Sequence, residues 1–417
     1  MENRKYPAEW QIKKMPDVVK WGSGGTPKAT EQAFYENGSI PWLVIGDLND
    51  GIVTEAESKI TPLGLQSSSA KMIPIGTLLV AMYGSIGKLG ITGIKCCTNQ
   101  AIAFAQELYG VTTKYMFYFM ASQKSNLIAK GKGGTQKNIS QTVLKSLSVP
   151  VPPLSEQKRI VAKIEELFSQ LDAAVTELKS VKEKLAIYRQ AVLKEAFEGK
   201  LTEKWRILHH KNNEWCVFNI KNIVQKGQNS LKAGPFGSAL KKSCYVPSGY
   251  KVYGQEQVIA GNENIGDYYI SEEKYQELIS CKIQPYDILI SLVGTVGKVL
   301  ILSAECEPGV INPRLIKVSL DRKKMLPEFF KYYFTSNYLK SLYKQKVHGA
   351  TMDVLNMGMI KELPFQWCPI DEQRQVMSEI EARISICNNI EQTVDTALQQ
   401  AAALRQSILK QAFEGNL

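Results

Sequence analysis

Two short segments place a lysine directly after a glycine-bent turn, an arrangement that phosphate-binding loops also use. The segments are GSIGK (84–88) and GTVGK (294–298). A Walker loop requires four residues between its glycines and a Ser or Thr after the lysine. Here two residues separate the glycines, and neither lysine is followed by Ser or Thr. A turn between strands is the better interpretation, and Lys88 and Lys298 remain candidates for contacts with phosphate groups.

Residue types that perform acid–base, nucleophilic or metal chemistry are scarce. The chain has only three histidines, and its eight cysteines include no CxxC pair. The segment INPRL (311–315) begins like the Asn-Pro-Pro-aromatic motif of amino-methyltransferases, but the second proline and the aromatic residue are missing. Its counterpart TNQAI (98–102) lacks even the first proline. We therefore predict buried free thiols, no metal site and no catalytic residues.

Four glycine-containing segments carry polar or basic side chains that suit binding. They are GSGGTPK (22–28), GKGGTQKN (131–138), KAGPFGSALKK (232–242) and VHGATMDV (347–354). Glycine lets a backbone approach a ligand closely, and Lys, Thr, Ser, Gln and Asn can contact phosphates and base edges. Each segment alone is as well explained by a turn or linker, but their recurrence favours a shared ligand surface. The candidate binding residues are Lys28, Thr26, Lys88, Lys132, Thr135, Gln136, Lys137, Asn138, Lys232, Ser238, Lys241, Lys242, Lys298 and Thr351.

The positive charge of the chain is concentrated in two segments. The formal net charge is +11, with +6 in residues 1–153 and +7 in 202–369, against +1 in 154–201 and −3 in 370–417. Such clusters favour a polyanionic partner such as nucleic acid, although many basic proteins bind none. No apolar run reaches the roughly 18 residues of a membrane helix, and no secretory signal is evident. We predict a cytoplasmic protein with no membrane partner.

The chain is one module written twice. The phrase LKEAFEGKL (193–201) returns as LKQAFEGNL (409–417), an offset of 216 residues. The same offset brings PPLSEQKRIVAKIEEL (152–167) onto CPIDEQRQVMSEIEAR (368–383), and upstream the offset drifts to 210, where GSIGK meets GTVGK. Two similar domains, each followed by its own helix, are therefore predicted. Their boundaries are 1–153 for the first domain, 154–201 for its helix, 202–369 for the second domain and 370–417 for its helix.

Each repeat ends in a long helix with a narrow apolar stripe. From Ile160 and from Val376, apolar residues follow at alternating steps of four and three over more than four heptads, with Arg383 as the exception. This 3.5-residue period is typical of a coiled coil. Ser155 and Asp371 are expected to cap the two helices. The predicted seam comprises Ile160, Ile164, Leu167, Leu171, Leu178, Val181, Leu185, Val376, Ile380, Ile390, Val394, Leu404 and Ile408.

Two such stripes in one chain are buried most readily against each other. We predict an antiparallel coiled coil of two helices, each roughly 65 Å long from a rise of about 1.5 Å per residue. Gly199 and Gly415 lie where a helix stop is expected. The prediction is a rod with one globular domain near each end and a pseudo-two-fold axis across its middle. The alternative is that each helix packs separately on its own domain.

The globular segments combine signals for strands and helices. Residues 76–104 and 285–318 are rich in Val, Ile, Leu and Gly and are predicted to form short strands. Residues 114–130 and 327–347 have the periodicity of amphipathic helices with aromatic cores. Both domains are therefore predicted to be α+β.

The whole chain resembles the specificity subunits of type I restriction–modification enzymes. The resemblance is carried by the PPLSEQKRIVAKIEELF helix start and its echo CPIDEQRQVMSEIEA, by GGTQKNIS, and by LKEAFEGKL with LKQAFEGNL. It implies two tandem α/β target-recognition domains separated by two long helices that form an antiparallel coiled coil. It also implies that each domain reads one half of a split target in double-stranded DNA and that the chain itself catalyses no reaction.

The resemblance further implies partners and cofactors. Two methyltransferase subunits would dock on the helices, and restriction subunits would join through them. S-adenosylmethionine, ATP and Mg would be bound by those partners, with no cofactor on this chain. The second copy has GATMDVLN in place of GGTQKNIS, and the domains diverge elsewhere, so an asymmetric target is expected. The alternative is a non-catalytic coiled-coil adaptor with only non-specific affinity for DNA.

Overall fold

The chain forms two compact units. The computed structural model describes residues 6–133, 137–236, 239–292, 296–345 and 355–417. Unit 1 consists of Met1–Lys179 and Asp395–Leu417, and unit 2 consists of Ser180–Val394. Each unit therefore contains one globular domain together with part of each long helix.

The globular domain of unit 1 is α+β, as predicted. Its strands are β1 (Gln11–Lys14), β2 (Val19–Ser23), β3 (Ile40–Leu43), β4 (Gly51–Val53), β5 (Lys59–Ile60), β6 (Leu78–Ala81), β7 (Leu89–Thr92), β8 (Cys97–Thr98), β9 (Ile102–Leu108) and β10 (Ser148–Val151). They form sheets in the orders β2–β9–β6–β7–β4, β5–β3–β8 and β1–β10. The helices are α1 (Met15–Val18), α2 (Pro62–Gln66), α3 (Thr113–Ser122), α4 (Lys124–Ala129) and α5 (Gln141–Lys145). The long helix α6 (Leu154–Phe197) follows.

Unit 2 repeats this plan. Its strands are β11 (Cys216–Phe218), β12 (Leu231–Ala233), β13 (Tyr250–Tyr253), β14 (Tyr269–Ile270), β15 (Ile288–Ser291), β16 (Val299–Ile301), β17 (Gly309–Ile311), β18 (Leu315–Val318) and β19 (Phe365–Trp367). The sheets are β12–β18–β15–β16, β14–β13–β17 and β11–β19. The helices are α7 (Glu203–Leu208), α8 (Ile220–Ile223), α9 (Gln255–Ala260), α10 (Glu272–Glu277), α11 (Pro327–Thr335), α12 (Asn337–Gln345), α13 (Met357–Glu362) and the long α14 (Ile370–Glu414).

The central strands form because their side chains are apolar on both faces. All four residues of β6 are buried, and so are all four of β15. Continuous apolar runs of this kind suit strands covered on both sides. Each strand is also central in its sheet, between β9 and β7 in unit 1 and between β18 and β16 in unit 2. The predicted strand-rich segments are thereby confirmed.

The two predicted aromatic helices are each divided into two. Residues 114–130 form α3 and α4 with a break at Gln123, and residues 327–345 form α11 and α12 with a break at Ser336. Ser336 has an extended backbone, and its hydroxyl accepts a hydrogen bond from the Leu339 amide at 3.4 Å. A serine that caps a new helix favours such an interruption. The apolar periodicity did not reveal these breaks.

The long helices begin before the residues that were predicted to cap them. They start at Leu154 and Ile370, so Ser155 and Asp371 lie inside the first turn and are not the caps. The first intrahelical bonds run from the Gln157 amide to the Pro153 carbonyl (3.0 Å) and from Gln373 to Pro369 (2.9 Å). In both copies, therefore, the first hydrogen-bond acceptor of the helix is the carbonyl of the proline that precedes it.

A buried glutamine attaches the start of each long helix to its own domain. Gln157 accepts from the Thr112 amide and donates to the carbonyls of Gly110 and Pro152, all within 2.9–3.0 Å. Gln373 accepts from the Leu326 amide at 2.9 Å and donates to the carbonyls of Lys324 and Cys368 at 2.8 and 2.7 Å. Both glutamines are completely buried. The glutamine of the repeated Glu-Gln pair is therefore a structural joint between helix and domain.

The repeated Ala-Phe-x-Gly phrase attaches the other end of each helix. The ring of Phe413 packs on Tyr115 and Phe119 of unit 1, with centroids 5.2 and 5.5 Å apart. The ring of Phe197 packs on Phe329 and Tyr333 of unit 2, at 5.3 and 5.0 Å. Each long helix thus starts on the domain that precedes it in sequence and ends on the other one.

The predicted glycine stops are confirmed. Gly199 and Gly415 have φ values of 72° and 79°, in the left-handed region that glycine adopts most readily. The following amides bond back to carbonyls five residues earlier, from Lys200 to Glu195 at 3.0 Å and from Asn416 to Gln411 at 2.9 Å. These are the bonds of a Schellman-type helix end.

Within each unit the two long helices run antiparallel and contact each other. In unit 1, Arg159 donates to the Leu417 carbonyl at 2.6 Å, and Arg405 pairs with Asp172. In unit 2, Arg189 donates to Glu391 at 2.7 Å and to Asn388 at 2.8 Å. Asp172 and Asn388 are 216 residues apart, as are Arg189 and Arg405, so the same helix-to-helix contact occurs in both copies. The predicted antiparallel pairing is confirmed.

The seam is narrower than predicted. Ile160, Ile164, Leu185, Val376, Ile380, Val394 and Ile408 are buried, whereas Leu167, Leu171, Leu178 and Val181 are half-buried. The prediction is wrong for Ile390 and Leu404, which are 41% and 50% exposed. In the middle of α14 the buried positions are Cys387, Val394, Ala401 and Ile408, which follow a strict seven-residue step. Over this stretch only one position of each heptad is buried, which is narrower than the two apolar positions that a coiled-coil seam usually buries.

Candidate nucleic-acid interface

In unit 1 the candidate loops emerge from one end of the five-stranded sheet. The loop of Thr26 and Lys28 follows the last residue of β2, the TNQAI turn precedes β9, and the GSIGK turn joins β6 to β7. Because neighbouring strands are antiparallel, Ser23 and Ala81 lie beside the start of β9. Segments far apart in sequence therefore meet along a single edge.

Hydrogen bonds join these loops into a continuous row. The Thr26 hydroxyl bonds to the Gln100 side chain, and the Met82 amide bonds to the Ala101 carbonyl at 2.8 Å. The Gly84 amide then bonds to the Lys137 carbonyl at 3.0 Å, which attaches the GKGGTQKN segment to the GSIGK turn. Lys132 and Asn138 close that segment with reciprocal amide–carbonyl bonds of 2.9 and 2.8 Å.

A small basic cleft lies at the end of this row. Its volume is about 380 Å³, and its walls include Lys88, Lys124, Lys137 and Asp50. Lys124 pairs with Asp50 at 3.2 Å, whereas the Lys88 ammonium donates to the carbonyls of Ile45 and Gly46 at 3.3 and 3.2 Å. Lys137 is exposed. Three ammonium groups around one carboxylate leave excess positive charge suited to a phosphate.

Unit 2 builds the same edge with the same backbone bonds. The Ser291 amide bonds to the Lys298 carbonyl at 3.0 Å, as Ala81 bonds to Lys88 at 2.9 Å. The Leu355 amide bonds to the Leu292 carbonyl at 3.1 Å, matching the 2.8 Å bond from Ile139 to Met82 in unit 1. Ser291, Leu292 and Lys298 are thus positioned like Ala81, Met82 and Lys88, and Lys298 is exposed at this edge.

The glycine-rich loop of unit 2 differs from the prediction at its start. Lys232 is a strand residue of β12, half-buried opposite Lys317, so the loop begins only after Ala233. Lys241 and Lys242 are exposed at the far end of this loop. Lys28 of unit 1 is exposed as well but pairs with Glu31 at 3.1 Å. Thr135, Gln136, Ser238 and Thr351 lie outside the described residues. DNA contact by any of these side chains stays a prediction.

Sequence reasoning missed several residues of this edge. Gln100 and Arg314 lie on the TNQAI and INPRL turns, which the sequence analysis considered only as a methyltransferase motif. In both turns the side-chain oxygen of the asparagine accepts a hydrogen bond from the backbone amide two residues later, from Ala101 at 3.1 Å and from Arg314 at 2.9 Å. The asparagine shared by the two turns was the available signal. Aligning the repeats through it would have marked both turns as equivalent parts of the loop edge.

The adjacent thiols of Cys96 and Cys97 are buried, and the described residues hold no metal-binding cluster. Within the ranges that the structure describes, no group of three or more His, Cys, Asp or Glu residues is arranged to hold a metal ion. Burial raises the pKa of Cys96 to about 11 and that of Cys97 to about 12, so both thiols stay protonated at neutral pH. None of the described helices is long and apolar enough to cross a bilayer.

Two clefts flank the long helices, one in each unit. The cleft of unit 1, about 620 Å³, is lined by Phe168, Asp172 and Arg405 of the helices and by Tyr118 of α3, among others. The guanidinium of Arg405 stacks over Phe168 at 4.3 Å. The cleft of unit 2, about 560 Å³, is lined by Ile187, Phe197 and Tyr338, among others, and is mainly apolar. Ile187 is 70% exposed.

Comparison with known proteins agrees with the duplicated architecture. Residues 7–183 and 212–400 match the family described as type I restriction modification DNA specificity domain. The chain is 24% identical over 433 residues to the type I restriction enzyme EcoKI specificity subunit of Escherichia coli (strain K12), covering 100% of this chain and 91% of that relative. It is 25% identical over 418 residues to the Escherichia coli EcoBI specificity subunit, covering 98% and 86%.

Solved structures share the fold. A chain from a structure of the type I R-M system superposes with a TM-score of 0.74 at 16% identity, covering 99% of both chains. The HsdS subunit from Thermoanaerobacter tengcongensis gives a TM-score of 0.59 at 16% identity, covering 100% of this chain and 99% of that one. At this identity the likeness concerns the fold alone.

Proposed function

Because the chain belongs to the type I restriction modification DNA specificity family, we propose that it is the sequence-recognition subunit of a type I restriction–modification complex. In this role each globular domain binds one half of a bipartite target in double-stranded DNA. The observation that carries the proposal is the row of loops at one sheet edge, built by equivalent backbone bonds in both units.

The two edges have matching frameworks and different side chains, which supports an asymmetric target. Thr26 and Gln100 occupy the edge of unit 1, whereas Phe236 and Arg314 occupy the corresponding turns of unit 2. Base edges are read by the donors, acceptors and apolar groups that side chains present. Two unlike side-chain sets on one framework are therefore suited to two unlike half-sites.

The long helices are the proposed docking surface for two methyltransferase subunits, through which restriction subunits join the complex. The clefts beside Phe168 and Ile187 lie one in each unit, and each includes residues of both the helices and the globular domain. The cleft of unit 2 is mainly apolar, and an exposed apolar surface of this kind is typical of a protein interface. One subunit per unit is the stoichiometry that the duplication favours.

In this account the chain itself catalyses nothing and works in the cytoplasm. S-adenosylmethionine, ATP and Mg belong to the partner subunits. The chain supplies the charged edges, which bind phosphates and orient the half-sites, and the helix pair, which fixes the distance between the bound half-sites. Its contribution to methylation is positioning, because the methylating subunit must be held at one base of a chosen sequence.

The test compares one lysine at the edge of unit 1 with a lysine elsewhere in the same unit. We expect Lys137→Ala to weaken DNA binding by the assembled complex on every sequence and to lower the salt dependence by about one ion. Lys20→Ala is the matched control, since Lys20 lies near the opposite end of β2 and pairs with Glu107 at 2.6 Å. Equal losses for both variants would mean that the edge is not the DNA-binding surface.

A footprint separates this function from the adaptor alternative. The complex should protect two short segments of a target duplex with an unread gap between them. Uniform protection without preferred sequence, together with retained partner binding, would instead identify a coiled-coil adaptor with non-specific affinity for DNA.

A further inference from the structure

One aromatic side chain stands out from the edge of unit 2. Phe236 is 91% exposed, more than any other large hydrophobic side chain among the described residues. Exposing a phenylalanine ring forgoes the stabilisation that its burial would contribute. Its position three residues after β12 places it at the same sheet end as Arg314 and Lys298.

Hydrogen bonds hold the backbone of the loop that carries this ring. The Gly234 amide bonds to the Leu315 carbonyl at 2.9 Å, and a Cβ on Gly234 would lie 1.8 Å from the Asn312 carbonyl oxygen. Pro235 is buried, and the Ala239 amide bonds to the Phe236 carbonyl at 2.8 Å. The backbone before the phenylalanine and its own carbonyl are therefore held by hydrogen bonds, while its ring is exposed.

The loop that carries the ring is positively charged. The segment 232–242 contains three lysines and no acidic residue. Lys241, Lys242 and Arg314 are exposed. An apolar ring among cations is poorly suited to an apolar protein groove, whereas nucleic acid offers both phosphates for the cations and base faces for the ring.

Unit 1 has a polar residue at the equivalent position. The Gly24 amide bonds to the Ile102 carbonyl at 3.5 Å, as Gly234 bonds to Leu315, and a Cβ on either glycine would collide with an asparagine carbonyl. Thr26 and Phe236 each lie two residues after the glycine, so Thr26 is the residue of unit 1 that is equivalent to Phe236. In unit 1 an aromatic residue instead contacts the backbone of the loop, because the Trp42 indole donates to the Gly25 carbonyl at 3.0 Å.

We propose that Phe236 is a wedge that stacks on a base of the half-site bound by unit 2, entering at a base step. This inference rests on the proposed DNA-recognition function. Apolar wedges enter DNA most readily at flexible pyrimidine–purine steps, which unstack at low cost. Unit 1, with Thr26 at this position, binds its half-site without unstacking it.

The test uses the full chain assembled with its methyltransferase subunits and a duplex selected from a random pool. Phe236→Ala should lower affinity by roughly tenfold or more, as expected for the loss of one base–aromatic stack. Phe236→Thr, which installs the residue of unit 1, should do the same, and Phe236→Trp should retain binding. The salt dependence should stay unchanged in all three because no phosphate contact is lost. Lys241→Ala, in contrast, should reduce it.

A spectroscopic readout locates the wedge. With 2-aminopurine placed in turn at each position of the duplex, wild-type complex should change the fluorescence at one step of the unit 2 half-site. Phe236→Ala should abolish that change, and the melting temperature of the complex without DNA should stay the same because the ring is exposed. Wild-type affinity and an unaltered 2-aminopurine signal in Phe236→Ala would overturn the wedge, and loss of methyltransferase subunits from this variant would show that the ring contacts protein. Failure of wild type to select any motif would instead overturn the proposed function.

Discussion

Glu156 and Glu372 hold the same position in the repeat, directly before the buried glutamine, yet their surroundings are opposite. Glu156 lies on the surface of unit 1, where a hydrogen bond from Arg159 holds its pKa below the usual value. Glu372 is 2% exposed in unit 2. It pairs with Arg206 and accepts from the Thr202 hydroxyl at 2.6 Å and the Trp215 indole at 2.7 Å.

The difference shows which part of the duplicated sequence is structural. Gln157 and Gln373 make the same three bonds to the same kinds of backbone group, because the joint between helix and domain is the same in both units. The neighbouring glutamate takes no part in the bonds of the glutamine. In unit 2 alone it forms a buried network with Arg206 and Trp215. Framework bonds repeat, whereas side chains beside them specialise.

Removing the two glutamates should have the largest and most unequal effect. Glu372→Ala leaves the Arg206 guanidinium buried without its carboxylate, and we expect a loss of about 3–5 kcal/mol in the stability of unit 2. Glu156→Ala breaks an exposed pair, with an expected loss of at most about 1 kcal/mol in unit 1. Hydrogen exchange resolved by segment measures each unit separately. Similar losses from the two variants would contradict the distinction.

Removing the two glutamines should have equal effects. Gln157→Ala and Gln373→Ala each leave buried amide and carbonyl groups without partners, at about 1–3 kcal/mol per site. Gln170→Ala provides the control, since Gln170 is an exposed helix residue and should change stability by no more than about 0.5 kcal/mol. Segment-resolved exchange should show each loss in the unit that carries the variant. A difference well above 1 kcal/mol between the sites would mean that the joints are not equivalent.

The ion pairs between the helices should show the smallest difference. Arg405 keeps its contact with the Phe168 ring when Asp172→Asn removes the charge, so we expect a loss of about 0.5 kcal/mol or less. Glu391→Gln removes the carboxylate partner of Arg189, which stacks on no ring in the described structure. It should cost slightly more, and added salt should reduce its effect. Denaturation at low and high salt checks the order, and a larger loss from Asp172→Asn would reverse it.

Much of the fold was predictable because it repeats. The 216-residue offset marked both long helices and their glycine ends, and the two apolar stripes predicted the antiparallel pairing of the helices. The Val- and Ile-rich segments predicted the central strands. Helix breaks at Gln123 and Ser336 were missed because the apolar period continues across them. Ile390 and Leu404 were assigned to the seam because periodicity gives the direction of a side chain but not the width of the surface that covers it.

The candidate site was only partly predictable. Glycine and lysine marked the loops of Lys88, Lys137 and Lys298, since turns and phosphate contacts need those residue types. Meeting of the loops at one sheet edge depends on strand order, which the sequence did not show. Phe236 was passed over because a phenylalanine is expected in a core, and only its exposure distinguishes it.

Selection from a pool of randomised DNA duplexes, using this chain with its methyltransferase subunits, tests the central claim most directly. If the two domains read DNA in this way, two short, unlike motifs should be enriched at one fixed separation, because two different edges would be held by one helix pair. Absence of any enriched motif, with binding that fades uniformly as salt rises, would contradict sequence recognition and leave a basic scaffold.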